Sequence, residues 1–538
     1  MGNSLATFIV VGSLLCIPPA IIEPSPRRQS LRIPAARYRR LLTWTCLAAA
    51  AWSCGVYLLA MRPFAESVDF YYYVCYARDM IHHPDDVPRD CYRYFPGVYA
   101  FWRTAIRLAG ESSLRLQAVY LAVLLVNSAL VGGIVFRGCR RLDAALFGGI
   151  WYLVLCSRFE GFAAVTEPIA TMPFLAAMLA WGGRRLAGGR GYLLGLAAGA
   201  GVGGALYVKQ QAGLLSLGAV SLLMNLVMAP REKRHDCGPL LAVPIGAAVV
   251  FLAGIACEAR GWTPVVDGLR QASSYPMQSQ FWRNLYAQIR NDESLALAAF
   301  LAYLAWMAIL LVPRARREFG SPWLELVGFL LLSALATVVQ FRWRAYYHYA
   351  MLAVPCVVAA AIILGVQLFR RLPAKFQESE LLRLVFLVCA AFPLAYTGGN
   401  PANLSVWRIR IDSDFAPFDP WQRQPDVAND LAEVARRLKS GDELLVLPPR
   451  RNVIHWVLGT RVHHHAHGYY WAPPAGSLTH AVQSGQIPWV LEVTKRNAPG
   501  DEENWVACQA DEVVSLLPSS GFRPVLRGET MTLWRRGA

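Results

Sequence analysis

Acidic side chains beside predicted membrane-spanning segments are the residues of this sequence best placed for acid–base chemistry. Asp69 comes about eight residues after an apolar run at 41–61, so its carboxylate is expected near the membrane–water boundary. A partly desolvated carboxyl there has its pKa raised towards the working range of a general base. Taken alone, Asp69 is also explained as an ordinary solvated loop residue.

Glu167 in Thr166-Glu167-Pro168 is a second acid of this kind. Pro168 suits the first turn of a helix, where the exposed N–H groups would stabilise the Glu167 anion. The functional interpretation is that Glu167 orients an acceptor or shares a proton with Asp69.

Cations at the ends of apolar runs add a phosphate-binding chemistry. Lys209 interrupts an apolar stretch, and Arg344 and His348 stand at the adjoining external ends of two apolar runs. Ionisable groups at membrane depth are costly and usually functional, and Arg and Lys suit a phosphate. Snorkelling to the phosphates of bilayer lipids is the alternative for each of them.

Aromatic residues crowd the segment between Phe70 and Trp102. They favour amphipathic helices in the membrane interface, close to a site that handles a lipid head group. A simple aromatic belt fits the composition equally well.

The composition indicates which kind of protein must position these groups. The 538 residues are 55% hydrophobic and 16% charged, against about 25% charged in a soluble domain. The net charge of +16 comes largely from arginine clusters between apolar runs, which is typical of cytoplasmic loops rather than of a nucleic-acid-binding surface. We therefore predict a polytopic α-helical membrane protein with no nucleic-acid partner.

Apolar runs predict about twelve membrane-spanning helices. They lie at 4–22, 41–61, 114–136, 142–157, 169–183, 191–207, 211–229, 238–258, 294–312, 322–341, 347–368 and 383–397. Basic clusters follow every second run, beginning with the arginines of 23–40, and fix these connections as cytoplasmic. The opposite, extracytoplasmic side receives 62–113, 158–168, 208–210, 259–293, 342–346 and the tail. The chain is thus expected in the plasma (inner) membrane, with its first helix uncleaved.

The sequence predicts three regions. They are an N-terminal helix with a basic segment (1–40), a transmembrane catalytic domain with external loop 62–113 (41–398), and a small extracytoplasmic α/β domain (399–538). In the last region the pattern predicts a helix from about Asp426 to Leu438, strands at Glu443–Leu447 and Trp489–Val493, a helix at Asp511–Leu517, and a terminal strand pair around Val525 and Met531–Trp534.

Two further patterns remain open. Cys75 and Cys91 would share an oxidising compartment and could form a disulfide, or they are independent thiols. The tract His463-His464-His465-Ala466-His467 resembles a metal tract, but alternate residues of a strand point to opposite faces and no further ligand motif stands nearby. We predict no metal site there.

These motifs together resemble the GT-C superfamily of membrane glycosyltransferases, in the protein O-mannosyltransferase-like branch that includes the lipid A aminoarabinose transferases. The resemblance rests on Asp69, Arg93-Tyr94-Phe95-Pro96-Gly97-Val98-Tyr99, Glu167-Pro168, the glycine-rich Gly191–Lys209 and the segment from Tyr347 to Pro355. It covers most of 41–368. The branch often has paired acids in the first loop, whereas Phe70 follows Asp69 here.

The resemblance implies an inverting transfer of one sugar from a polyprenyl-phosphate donor to a lipid, glycan or protein hydroxyl. Asp69 would take the proton of the acceptor hydroxyl, with Glu167 as a second acid. The leaving phosphate would be stabilised by Arg93, Lys209, Arg344 and His348, and Tyr94, Tyr99 and Tyr347 would contact the sugar or acceptor. No cofactor is required; a divalent cation is compatible but not indicated. A transporter or flippase of lipid-linked saccharides and a glycan polymerase or ligase are the alternatives.

Overall fold

A computed structural model describes most of the chain between residues 68 and 537. The described ranges are 68–83, 95–158, 165–258, 281–311, 318–342, 347–371, 425–447, 452–462, 477–494 and 510–537, with isolated positions at 40–41, 44–45, 48, 261–263, 265–266 and 269. The chain divides into two units. The helical unit comprises Met1–Val56, Tyr120–Ala259 and Ser274–Leu404, and the mixed unit comprises Tyr57–Val119, Arg260–Ser273 and Ser405–Ala538.

Helices dominate the described residues. In chain order they are α1 (Val68–His82), α2 (Pro96–Ala109), α3 (Ser113–Cys139), α4 (Leu142–Arg158), α5 (Thr166–Trp181), α6 (Gly188–Val208), α7 (Val220–Met228), α8 (Cys237–Ala256), α9 (Phe281–Asn291), α10 (Glu293–Leu311), α11 (Pro322–Thr337), α12 (Val354–Phe369), α13 (Pro425–Arg437), α14 (Asn452–Leu458), α15 (Ser477–Gln483) and α16 (Ala510–Leu516). Short 3₁₀ helices occupy Gln210–Ala219, Arg231–Lys233, Val338–Arg342 and Tyr347–Leu352. The strands are β1 (Glu443–Leu447), β2 (Arg461–Val462), β3 (Trp489–Val493), β4 (Phe522–Arg527) and β5 (Met531–Arg536).

Several of these helices can cross a membrane. Within the described ranges, five segments are long and apolar enough, or six if the bent pair Phe281–Arg290 and Leu295–Leu311 counts as one span. The five are Arg115–Cys139, Gly188–Val208, Gln210–Met228, Arg231–Ala256 and Pro322–Arg342. The prediction of a polytopic helical membrane protein is confirmed.

The predicted spans from 114–136 to 347–368 all coincide with helices. Three of them, 211–229, 322–341 and 347–368, combine a 3₁₀ helix with an α-helix. In 347–368, Pro355 in the first turn of α12 disfavours continuous α-helix before it. The predicted spans at 4–22, 41–61 and 383–397 lie wholly or largely outside the described residues, so the total of about twelve stays a prediction.

Glycines hold α6 close to its neighbours. A Cβ added at Gly199 would lie 1.9 Å from the carbonyl oxygen of Val243 in α8, and one at Gly201 would lie 2.6 Å from that of Pro173 in α5. Small residues let helix backbones meet at van der Waals distance, which favours association inside a membrane. Lys209, the C-cap of α6, is therefore carried on a helix fixed from two sides.

A buried polar cluster joins three connections at the other end of α6. The Glu325 carboxylate accepts hydrogen bonds from Asn225 Nδ2 at 2.7 Å and from the Gly320 N–H at 3.1 Å, and lies 3.6 Å from His235 Nε2. His235 Nδ1 accepts the Leu186 N–H at 2.9 Å, so the imidazole proton is on Nε2 and faces Glu325. Main-chain and side-chain groups of 186, 235 and 320 are thereby tied together.

The helix α9 has its polar face inside. Asn284 and Gln288 are buried, whereas Trp282, Tyr286 and Ile289 are 78%, 59% and 41% exposed. The bent pair makes an angle of 107°. This inverted pattern is that expected of a helix whose aromatic face meets the membrane interface.

The mixed unit contains a five-stranded sheet in the order β2-β1-β3-β5-β4. β1 pairs in parallel with β2 and β3, and β5 pairs antiparallel with β3 and β4. Leu444 to Leu447 of β1 are all buried, which in a strand with alternating side chains means that both faces of the sheet are covered. The predicted strands at 443–447 and 489–493 coincide with β1 and β3.

The helix α13 matches its predicted pattern, since Val427, Leu431, Val434 and Leu438 are buried. Asp426 lies in the first turn of α13, which begins one residue earlier, at Pro425, a residue favoured in a first turn.

From Phe70 to Ala77 the helix α1 is buried on all sides, which differs from the amphipathic interfacial helix expected from its aromatic residues. Every residue from Phe70 to Ala77 is at most 7% exposed. One side packs on α2, where the Phe70 and Trp102 ring centroids are 5.2 Å apart. Cys75 on another side belongs to the apolar cluster of the sheet and of α15 and α16. A helix that is apolar all round is covered by neighbours on all sides.

Candidate active site

Lys209 and Glu167 form a buried ion pair in the helical unit. Lys209 Nζ lies 2.5 Å from Glu167 Oε1 and 2.9 Å from Thr166 Oγ1. The side chains of Lys209 and Glu167 are 3% and 0% exposed. The start of α5 meets the end of α6 here, because the two helices are consecutive and packed together. Desolvation of two buried charges is costly, so the pair depends on its mutual attraction and hydrogen bonds.

The first turn of α5, which carries Glu167, is held by polar residues of α3. Asn127 Nδ2 donates a 2.7 Å hydrogen bond to the Pro168 carbonyl, and the Tyr120 hydroxyl donates to the Val165 carbonyl at 3.3 Å. Asn127 and Tyr120 are fully buried. These bonds fix the backbone on either side of Glu167.

An aromatic ring completes the surroundings of Lys209. Lys209 Nζ lies 5.2 Å from the ring centroid of Tyr349, within the range of a cation–π interaction. Gln340 Nε2 donates a 2.8 Å hydrogen bond to the Tyr349 carbonyl and so fixes this 3₁₀ segment. Tyr347 and His348 belong to the same short helix, although their side chains lie outside the described residues.

This arrangement has a definite chemical capacity. The Lys209 ammonium has three N–H donors and can hold an anionic oxygen, and the carboxylate of Glu167 accepts protons or hydrogen bonds. In a low-dielectric interior these interactions are stronger than in water.

The predicted acid Asp69 lies in the mixed unit, in the first turn of α1. The structure describes its backbone but not its side chain. Tyr99 is 1% exposed, and its ring centroid lies 5.9 Å from that of Tyr76. The structure thus brings Glu167 and Lys209 together, and it places Asp69 and Tyr99 on two helices that pack against each other.

Cys75 is fully buried, and burial raises the pKa of its thiol to about 12. Its predicted disulfide partner, Cys91, lies outside the described residues, so the disulfide stays a prediction. Also outside them are Arg93, Tyr94, Arg344 and the histidine tract at 463–467. Within the described ranges, no group of three or more His, Cys, Asp or Glu side chains is arranged to hold a metal ion.

Sequence reasoning missed Asn127 and Gln340. Both are amides inside or at the end of apolar helical segments, and polar residues at such positions are a recognised sign of an internal contact. That sign was present in the sequence, but their partners are main-chain carbonyls, which a residue pattern does not reveal.

Comparison with solved structures shows which fold the chain has. Its fold is similar to that of ArnT, and the resemblance predicted from the sequence is confirmed at the level of the fold. The chain is similar to ArnT from Cupriavidus metallidurans bound to undecaprenyl phosphate, with 12% identity, a TM-score of 0.57, and coverage of 91% of this chain and 98% of that one. The apo state of the same protein gives 15% identity, a TM-score of 0.56, and coverage of 92% and 99%. No protein-family model matches the sequence, and no curated protein matches it significantly.

Proposed function

We propose that this protein is a membrane glycosyltransferase that moves a sugar from a polyprenyl-phosphate donor to an acceptor hydroxyl with inversion. The observation that carries the proposal is the buried Lys209–Glu167 pair at the end of a candidate spanning helix, in a chain with the ArnT fold. The similar ArnT structure was crystallised with undecaprenyl phosphate, a lipid phosphate of the kind that we propose here as the carrier.

Lys209 is the proposed phosphate ligand in the described part of the chain. Its ammonium is held by Glu167, Thr166 and the Tyr349 ring, so little reorganisation is needed when charge develops on a leaving phosphate. Glu167 remains the proposed second acid, and its contact with Lys209 adds the role of fixing that cation. Arg93, Arg344 and His348 are proposed as further phosphate contacts.

In the proposed reaction Asp69 is the general base. The acceptor oxygen attacks the anomeric carbon, the bond from that carbon to the phosphate oxygen breaks on the opposite side, and the hydroxyl proton passes to Asp69. The products are the inverted glycoside and a polyprenyl phosphate. The proposed reaction uses no electron acceptor and no cofactor.

We place the reaction on the extracytoplasmic side of the plasma membrane, as the arginine distribution favours. The acceptor is a lipid, glycan or protein hydroxyl.

Purified full-length protein in lipid nanodiscs tests the proposal. It is incubated with a panel of synthetic undecaprenyl-phosphate and dolichyl-phosphate hexoses and pentoses, with membrane extract as a source of acceptor. Mass spectrometry is expected to detect release of polyprenyl phosphate and one added sugar per acceptor. Transfer of a whole chain would indicate a polymerase or ligase. Movement of the intact donor across a vesicle membrane without cleavage would indicate a flippase.

A further inference from the structure

The helix α1, which carries Asp69, is held at its C-terminal half by an arginine clamp. Arg78 is 5% exposed. Its guanidinium donates to the main-chain carbonyls of Thr460 at 2.6 Å, His455 at 3.2 Å and Trp456 at 3.3 Å, and its Cζ lies 5.2 Å from the Trp456 ring centroid. We call this set of contacts the Arg78 clamp.

The acceptors of the clamp are the carbonyls of His455 and Trp456 in the last turn of α14 and that of Thr460 just beyond it. The first two also accept the N–H groups of Thr460 and Gly459, and carbonyls at the end of a helix carry partial negative charge. A guanidinium presents several N–H donors in a planar fork and can satisfy more than one of them at once, whereas a lysine ammonium is a point charge. Arginine therefore suits this position better than lysine.

Two neighbouring side chains, His455 and Asp79, are compatible with the positive charge of Arg78. Burial, and secondly the charge of Arg78, lowers the pKa of His455 to about 3, so its imidazole is neutral at physiological pH and does not repel the guanidinium. Asp79 Oδ1 lies 3.7 Å from Arg78 Nε and adds a compensating charge.

The contacts on this side of α1 form a stripe. Tyr71, Cys75 and Arg78 recur at the four- and three-residue spacing of one helix face. Tyr71 lies near the Trp456 ring, with centroids 6.5 Å apart, and Cys75 packs in the apolar cluster of the sheet. The C-terminal segment thus engages α1 along about two turns.

Asp69 lies on the same helix, nine residues before Arg78. At 100° and about 1.5 Å per residue, the Cα atoms of Asp69 and Arg78 are on opposite sides of the helix axis and roughly 13 Å apart along it. A helix of this length moves as a rod, so the position of Asp69 depends on how the opposite side of α1 is held.

We propose that Arg78 is a positioning residue, and that the C-terminal part of the mixed unit acts through the Arg78 clamp to hold Asp69 in its reacting position. The inference rests on the proposed function, in which Asp69 is the base. It assigns the C-terminal segment a part in catalysis that is separate from any binding of substrate.

The test compares Arg78→Gln, Arg78→Lys and Trp456→Leu in the full-length protein, with Arg107→Gln as the control. Arg107 is an exposed arginine in the last turn of α2, in the same unit. The measured quantities are kcat, KM for the donor, binding of undecaprenyl phosphate, and hydrogen exchange of the 68–82 and 452–460 amides.

For Arg78→Gln we expect kcat to fall by about 10- to 100-fold, as for other small displacements of a catalytic group. Binding of undecaprenyl phosphate is expected to be unchanged, because Arg78 contacts the end of α14 and is not one of the proposed phosphate ligands. Exchange is expected to quicken in 68–82 and 452–460. Arg78→Lys restores part of the rate, Trp456→Leu has a smaller effect in the same direction, and Arg107→Gln behaves as wild type.

Full kcat in a folded Arg78→Gln variant overturns the proposal. A proportional loss of kcat, lipid binding and global stability also overturns it, since that is the signature of a merely structural residue. If Arg78→Gln does not fold, Arg78→Lys and Trp456→Leu carry the same comparison. If the wild type transfers no sugar, the proposed function fails, and unchanged exchange in 68–82 of a folded variant would independently refute the clamp.

Discussion

Glu167 and Lys209 are 42 residues apart in the sequence, yet Glu167 Oε1 and Lys209 Nζ are 2.5 Å apart in the structure. Two predicted site residues of opposite charge therefore form one group, and neither can be changed without affecting the other.

Replacing Lys209 by Met leaves the Glu167 carboxylate buried without its cation. We expect the free energy of unfolding to fall by about 3–5 kcal/mol, and binding of undecaprenyl phosphate to be lost. The double variant Lys209→Met/Glu167→Gln removes both charges, so it is expected to regain most of the stability and none of the binding. Denaturant unfolding in detergent and native mass spectrometry measure the two properties. Lys439→Met at an exposed position is the control, and wild-type binding in the double variant would remove Lys209 from the donor site.

Two glycines of α6 provide a matched pair of substitutions. A Cβ at Gly199 would meet the Val243 carbonyl at 1.9 Å, whereas nothing lies within 4 Å of a Cβ at Gly189. We expect Gly199→Ala to destabilise the protein by about 1–3 kcal/mol through overpacking, and to lower activity because Lys209 is carried on α6. Gly189→Ala is expected to be neutral or slightly stabilising. Thermal unfolding in detergent distinguishes them, and equal melting temperatures would contradict the close packing of α6 on α8.

Asp69→Asn removes the proposed base with almost no change of shape. Sugar transfer is expected to fall by at least 100-fold, the order associated with loss of a general base, with unchanged thermal stability. Asp511→Asn, at an exposed position in the first turn of α16, serves as the control. Retention of full activity in Asp69→Asn would exclude Asp69 from catalysis.

The buried His455 predicts an acid-dependent stability of the mixed unit. Burial and the charge of Arg78 lower the pKa of His455 from 6.5 to about 3. Between these two values, His455 is protonated in the unfolded chain and neutral in the folded chain. The contribution of neutral His455 to the free energy of unfolding is fully present above pH 6.5. It decreases by about 1.4 kcal/mol per pH unit as the pH falls towards 3. Urea unfolding between pH 7 and pH 4 measures this slope. His455→Gln should flatten it, while His480→Gln, at an exposed position, should not; an unchanged slope in His455→Gln would refute the assignment.

Membrane-impermeant maleimide labelling tests the predicted orientation. A cysteine replacing exposed Glu111 is expected to react on intact cells, and one replacing exposed Lys233 only after permeabilisation. The background has the exposed Cys237 and Cys257 replaced by serine. Labelling of both introduced cysteines from one side would contradict the predicted topology, and with it the extracytoplasmic site.

The sequence alone determined the parts of the fold that depend on local pattern. Long apolar runs predict α3, α6 and α8, because only a helix satisfies its own backbone hydrogen bonds in lipid. In the tail, short apolar runs predict β1 and β3, and apolar residues at helical spacing predict α13; these are local patterns as well.

Tertiary structure decided what contacts each of these elements. The aromatic residues of α1 suggested a helix at the membrane interface, but α1 is buried because α2 and the sheet cover different sides of it. A pattern of residue types records that a side chain is apolar, and lipid and a protein core are both apolar surroundings.

The site shows the same division. Positive-inside arginines and the charged residues Glu167 and Lys209 are visible in the sequence, since charge is rare and costly in a membrane. Three contacts, however, depend on residues distant in sequence. They are the 2.5 Å contact between Glu167 and Lys209, the hydrogen bond of Asn127 to the Pro168 carbonyl, and the hydrogen bonds of Arg78 to the carbonyls of His455 and Thr460. Those contacts exist only once close packing and the satisfaction of buried polar groups have selected one arrangement.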